Sequence, residues 1–159
     1  MGTIGFREPW CTSATKYKVN ITIDPSYGLS GGYDGQNYPM MQMAAGGLAD
    51  HWGLAHEFAH ALQGSTGGLR DDSPYTHWFW EDHANFMAHQ QNEYKDDYHC
   101  TELSMNAPNL YYGSTRDNYC SWQFLEYLRN TYGYSAVNDI WNNAPQFGTA
   151  AAATADPLS

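Results

Sequence analysis

The pentapeptide His56-Glu57-Phe58-Ala59-His60 constrains this chain more than any other feature. HExxH has a helical logic: residues i and i+4 stand one turn apart on the same face, so imidazoles at 56 and 60 can turn their nitrogens toward one metal ion. Glu57 is rotated onto the adjoining flank, from which a carboxylate reaches a metal-activated water without ligating the metal itself. The segment must therefore fold as a helix with a polar strip that other parts of the chain leave room for. With seven His and six Glu in 159 residues, the pattern is expected by chance roughly 0.01 times per chain.

A hydrolytic zinc centre takes three protein ligands and leaves a fourth position to water. A metzincin would place Gly three residues and His six residues after the second His. Gln63 and Thr66 stand there instead, so counting removes that option. The other route to a third ligand is a glutamate from a following helix. Downstream lies Trp78-Phe79-Trp80-Glu81-Asp82-His83-Ala84-Asn85, and the twenty residues between His60 and Glu81 accommodate a helix end, a Gly-rich turn and a new helix start. Glu81 is the expected third ligand, with neighbouring Asp82 and His83 as alternatives, and Zn2+ is the expected cofactor.

In these residues the chain resembles the gluzincins, zinc metallopeptidases that combine HExxH with a glutamate on a following helix. Their aminopeptidase branch carries W-x-x-E-x-x-A around the ligand, and Trp78, Glu81 and Ala84 match it position for position. The wider stretch HEFAHALQG…WFWEDHANFM, with the Trp/Tyr-rich helix after it, is similar to secreted gluzincin-like proteins typified by the Svx/AvrXca virulence proteins; these segments cover roughly half the chain. The resemblance implies a zinc-dependent peptide-bond hydrolase with His56, His60 and Glu81 as metal ligands and Glu57 as general base, acting on a peptide or protein substrate. It also implies a Tyr or His that donates to the oxyanion. Tyr119, ahead of a returning helix, takes that place, with Tyr111 and Tyr112 as rivals. His77, His83, His89 and His99 are further candidates, although His83 and His89 read as ordinary polar residues at the edge of the second helix. Asn85, one turn beyond Glu81, stands where some gluzincins place a carboxylate that holds a zinc-binding imidazole, and an amide oxygen can accept the same N–H. Arg70 and Arg116 suit a substrate carboxylate or surface ion pairs equally well. Gluzincins hold extended substrate on the strand that precedes the active-site helix, which assigns edge pairing to residues 40–46. The G-x-M-x-N segment that anchors a free amino terminus in the aminopeptidase branch is replaced by Ala44-Ala45-Gly46-Gly47, a departure that favours endopeptidase action. The alternative is a zinc-containing secreted binding or virulence module with weak or no peptidase activity, since the same residues would retain the metal.

The remaining pattern predicts an α+β, zincin-like fold, with a small N-terminal sheet followed by the active-site helix and a mainly helical C-terminal half. Tyr17–Ile23 alternates like a strand with one buried face, and Tyr38–Met43 is a second strand despite its methionines. A Gly- and Tyr-rich turn region separates them. Asp50 caps a helix over about 51–63 that ends at Gly64, with Leu54, Phe58, Ala61 and Leu62 as its buried stripe. Residues 64–68 read as a turn. Ser73 and Pro74 open a second helix reaching about Gln91, with Trp78, Phe79, Phe86 and Met87 among its apolar residues. A third spans about 119–131 with Trp122, Leu125 and Leu128 at helical spacing, and a fourth about 135–141. The chain reads as one metallopeptidase catalytic domain over 1–159: about 1–50 strand-rich, about 51–145 helical, 146–159 a tail. The abrupt Met1-Gly2 start and the Ala/Thr run from Thr149 to Ala155 read as the edges of a piece cut at one or both ends.

A formal net charge of −10 with only seven Lys and Arg argues against neutralising nucleic-acid phosphates. No apolar run is long enough for a membrane-spanning helix. Few basic residues, 16% aromatics and many Gly, Tyr and Asn suit an extracellular protein. Cys11, Cys100 and Cys120 are an odd set, so at most one bridge closes within the chain, and Cys100–Cys120 is the expected pair. Three buried thiols are the alternative.

Overall fold

A computed structural model describes residues 6, 19–36, 38–64, 66, 77–91, 98–111, 114 and 119–143. A three-stranded sheet comes first and five α-helices follow, the α+β order anticipated from the sequence. The chain forms two compact units, one of Arg7–Gly68 and one of Met1–Phe6 with Leu69–Ser159.

In the first unit β1 (Asn20–Ile23), β2 (Ser30–Tyr33) and β3 (Pro39–Met43) form a sheet of order β1-β3-β2. β3 is parallel to β1, with Ile21 opposite Met41, and antiparallel to β2, with Gly31 opposite Met41. Its alternation is that of a half-covered strand: Pro39, Met41 and Met43 are buried, while Met40 and Gln42 are partly exposed. Burial thus overrides methionine's weak strand preference. A short 3-10 turn (Ala45–Ala49) leads into α1 (His51–Gly64). Asp50 caps α1 as anticipated, its Oδ1 accepting the Gly53 N–H at 2.8 Å. Met41, Met43 and Ala61 form the core, with Val19, Leu29 and Leu54 packed around them.

Four expectations change here. β2 lies inside the stretch read as a turn, where Gly31 and Gly32 carry little strand propensity and only pairing with β3 makes the strand. β3 is the central strand, hydrogen-bonded on both sides, and residues 45–46 already belong to the 3-10 turn, so 40–46 offers no free edge to a substrate. The stripe on α1 is also rotated. Phe58 is 40% exposed and Leu54 and Leu62 only partly covered, whereas His56, Ala59, His60, Ala61 and Gln63 are buried. Of the described part of the first strand only Val19, partly buried, packs on the core: Asn20–Ile23 are all exposed, because α1 packs against β2 and β3 and no described element covers β1. Tyr17 and Lys18 lie outside the described residues.

The second unit contains α2 (His77–His89), α3 (Tyr98–Asn106), α4 (Trp122–Tyr132) and α5 (Tyr134–Asn143). α2 runs through its middle: from Phe79 to His89 every residue except Glu81 is buried. Phe6, Phe79, Trp80 and His83 surround Trp141 of α5 with ring centroids 5.3–6.2 Å apart. His83 and His89 are therefore core residues and not edge residues. His83 is fully buried in that aromatic cluster, and His89 stacks on Trp122 at 3.5 Å. A helix wrapped on nearly all sides has no polar edge to put them on. Gln90 ties the end of α2 to its neighbours, donating to Glu126 Oε2 at 3.1 Å and accepting from the Tyr134 hydroxyl at 2.7 Å. α3 escapes the sequence because Tyr98–Asn106 has almost no amphipathic period; the Cys100–Cys120 disulfide and a Ser104–Gln123 hydrogen bond of 2.6 Å hold it to the start of α4. Gly133, at φ +86°, ends α4 with its N–H on the Arg129 carbonyl, a left-handed residue that only glycine adopts freely. The Ser73/Pro74 cap, Gly67, Gly68, Cys11 and the 146–159 tail lie outside the described residues.

Candidate metal centre

One side of the centre is built entirely on α1. His56 and His60 are 7% and 6% exposed, and their Nε2 atoms lie 2.9 Å apart with the rings nearly perpendicular. Two nitrogens on one ion in tetrahedral coordination stand about 3.3 Å apart, so the pair needs to open by only a few tenths of an ångström to share a zinc. Two converging buried imidazole nitrogens are a donor set that suits such an ion.

Glu57 occupies the flank of α1 that faces β2. Its Oε2 accepts the Gly31 N–H at 2.7 Å, a charge-assisted bond between a carboxylate and an edge-strand amide. This N–H is turned away from β3. The contact depends on glycine: a Cβ at Gly31 would lie 2.6 Å from the Glu57 carbonyl carbon and 3.1 Å from its Cα. Strand backbone and helix backbone thus approach with no side chain between them. The sequence holds no local signal for this pairing, because residues 31 and 57 meet only after the sheet forms.

His60 has a second partner that sequence counting passed over. Gln63 Oε1 lies 2.7 Å from His60 Nδ1, both side chains buried on one face of α1. The i,i+3 spacing is the signal in the sequence, whereas a count against the metzincin pattern uses Gln63 only as a missing glycine.

Glu81 projects from α2 and is the only partly exposed residue in its buried stretch. The ligand atoms of His56, His60 and Glu81 all lie within 4.8 Å of one another, the group among the described residues placed to hold a metal ion.

The chain belongs to the DUF6055 family. That family, described as one of unknown function, matches residues 1–158. No curated protein and no solved structure matches the chain. Membership of DUF6055 thus accounts for nearly the whole length and attaches no chemistry to it, so function rests on the residues themselves.

The Asn85 amide, 5% exposed, donates through Nδ2 to the Tyr119 carbonyl at 2.6 Å. Tyr119 has φ +75°, a left-handed backbone that is uncommon outside glycine, and its side chain is 46% exposed. Asn85 and the disulfide at Cys120 hold that turn. Tyr111 is 74% exposed. Tyr112, Arg70, Arg116 and the side chains of His77 and His99 lie outside the described residues.

Proposed function

We propose that this protein is a zinc-dependent peptide-bond hydrolase of gluzincin type, more specifically an endopeptidase. The grouping of His56, His60 and Glu81, with Glu57 next in sequence to the ligand His56 on α1, supports the proposal. A zinc ion held by those three ligands would act as a Lewis acid on the scissile carbonyl and would make a water acidic enough to attack near neutral pH. Glu57 takes the proton of the attacking water and passes it to the departing amine. The Gly31 N–H aims the carboxylate from one oxygen and leaves the other for that transfer. Tyr119 is assigned as the hydroxyl that donates to the oxyanion. The Cys100–Cys120 bridge supports an oxidising, extracellular setting.

Glu57→Gln tests the assignment. Its amide oxygen can still accept the Gly31 N–H, so the variant is expected to fold and to retain one zinc per chain while hydrolysis of a peptide library falls by about 10²–10⁴-fold. Loss of zinc in this variant, or wild-type turnover, overturns Glu57 as the base. One bound zinc in the wild type with no cleavage of any peptide replaces the hydrolase by a zinc-containing binding module.

A further inference from the structure

Gln63 and Thr66 stand at the two positions that exclude a metzincin site, and both are buried, at 1% and 0% exposure. A buried amide and a buried hydroxyl each need partners. Gln63 finds one in His60, with Oε1 2.7 Å from Nδ1. Thr66 donates both its N–H, at 3.1 Å, and its hydroxyl, at 2.7 Å, to the Gln63 carbonyl, closing the last turn of α1. The chain of contacts therefore runs from the helix end to the imidazole without leaving residues 56–66.

The chemistry of the first contact is directional. An amide oxygen only accepts, so the bond requires the His60 proton to sit on Nδ1. A neutral imidazole with its proton there carries its lone pair on Nε2, the atom that converges on His56 Nε2. The same bond restrains the ring against rotation about its Cβ–Cγ axis. A carboxylate at position 63 would do this with a full negative charge; the glutamine does it with none, which leaves Glu81 as the anionic member of the donor set.

We propose that Gln63 is a positioning residue for the metal centre, holding His60 as the Nδ1–H tautomer with Nε2 turned to the ion, and that Thr66 anchors Gln63 by closing the helix end. The proposal rests on the metal-centre reading and adds to it a residue outside the ligand set.

The experiment compares wild type, Gln63→Met, Gln63→Glu and Thr66→Val. Zinc affinity is measured by competition with a chromogenic chelator, and the His60 tautomer is read in the metal-free protein by long-range ¹H–¹⁵N correlation. Gln63→Met keeps the volume and removes the acceptor. It is expected to weaken zinc binding by about 10–100-fold and to lose the pure Nδ1–H tautomer, with unchanged far-UV circular dichroism. Gln63→Glu restores the acceptor and the tautomer, and Thr66→Val falls between wild type and Gln63→Met. Wild-type zinc affinity in Gln63→Met, or a persisting Nδ1–H tautomer in it, overturns the role of Gln63 alone. A wild type that binds no zinc overturns the metal-centre reading and this proposal with it. If Gln63→Met does not fold, the metal-free wild type decides: a His60 proton on Nε2 overturns the proposal.

Discussion

Gly31→Ala is expected to separate strand from helix at the candidate centre. The added Cβ would stand 2.6 Å from the Glu57 carbonyl carbon and 3.1 Å from its Cα, where carbon–carbon contacts settle at about 3.5–4.0 Å. β2 and α1 must therefore part by about 1 Å. Both groups in the collision are backbone, so no rotamer change relieves it. Overpacking of this kind costs about 1–3 kcal/mol. Withdrawing the Gly31 N–H from the Glu57 carboxylate, now 2.7 Å away, costs about 1.5–3 kcal/mol more. Ala in place of Gly within a strand returns about 0.5–1 kcal/mol. The net loss is about 2–5 kcal/mol, which for a chain of this size lowers Tm by about 4–20 °C. Gly32→Ala is the internal control. One residue along the same strand, its Cβ would meet nothing within 4 Å, and the expected change is within about 0.5 kcal/mol. Thermal unfolding followed by circular dichroism gives both numbers, and peptide hydrolysis by the surviving folded protein gives the third. A displacement of the base by about 1 Å is expected to cost about 10²-fold in turnover. Equal melting of the two variants would refute the close approach of β2 to α1. A destabilised Gly31→Ala with undiminished turnover would refute the Gly31 N–H as the group that aims Glu57.

Two further outcomes follow from the second unit. Asn85→Ala removes the 2.6 Å donor to the Tyr119 carbonyl and is expected to cost about 1–3 kcal/mol in chemical denaturation, whereas Tyr119→Phe leaves stability unchanged and lowers turnover with zinc content intact; equal zinc content and equal turnover in Tyr119→Phe would remove that hydroxyl from the mechanism. Reducing the Cys100–Cys120 bridge, which spans a sequence separation of 20, is expected to destabilise the protein by about 3 kcal/mol through the freed unfolded chain, read as a lower denaturation midpoint in reductant; an unchanged midpoint would show that the bridge constrains little.

Much of the centre was legible because its signals are local. His56, Glu57 and His60 follow from one helical turn, Asp50 from cap chemistry, and Glu81 from ligand counting combined with the length needed to end one helix and begin another. The disulfide pair could be named because Cys100 and Cys120 tie the loop after the second expected helix to the start of the next. What could not be read depends on contacts between residues far apart in sequence or on the depth of burial. SGGY becomes a strand only by pairing with β3, and its glycines matter because a helix backbone lies against one of them. Phe58 faces outward while His60 and Gln63 face inward, reversing what hydrophobicity alone implies, since the polar strip is the one kept away from solvent. His83 and His89 look like surface residues until α2 is seen to be enclosed on nearly every side. The sequence by itself determined the spacing of the two candidate histidine donors, because i,i+4 geometry is a property of any helix. Only the tertiary structure decided which amide meets Glu57, which side chain holds His60 and which strand lies at the centre of the sheet, because those are settled by how backbones approach one another and not by residue type.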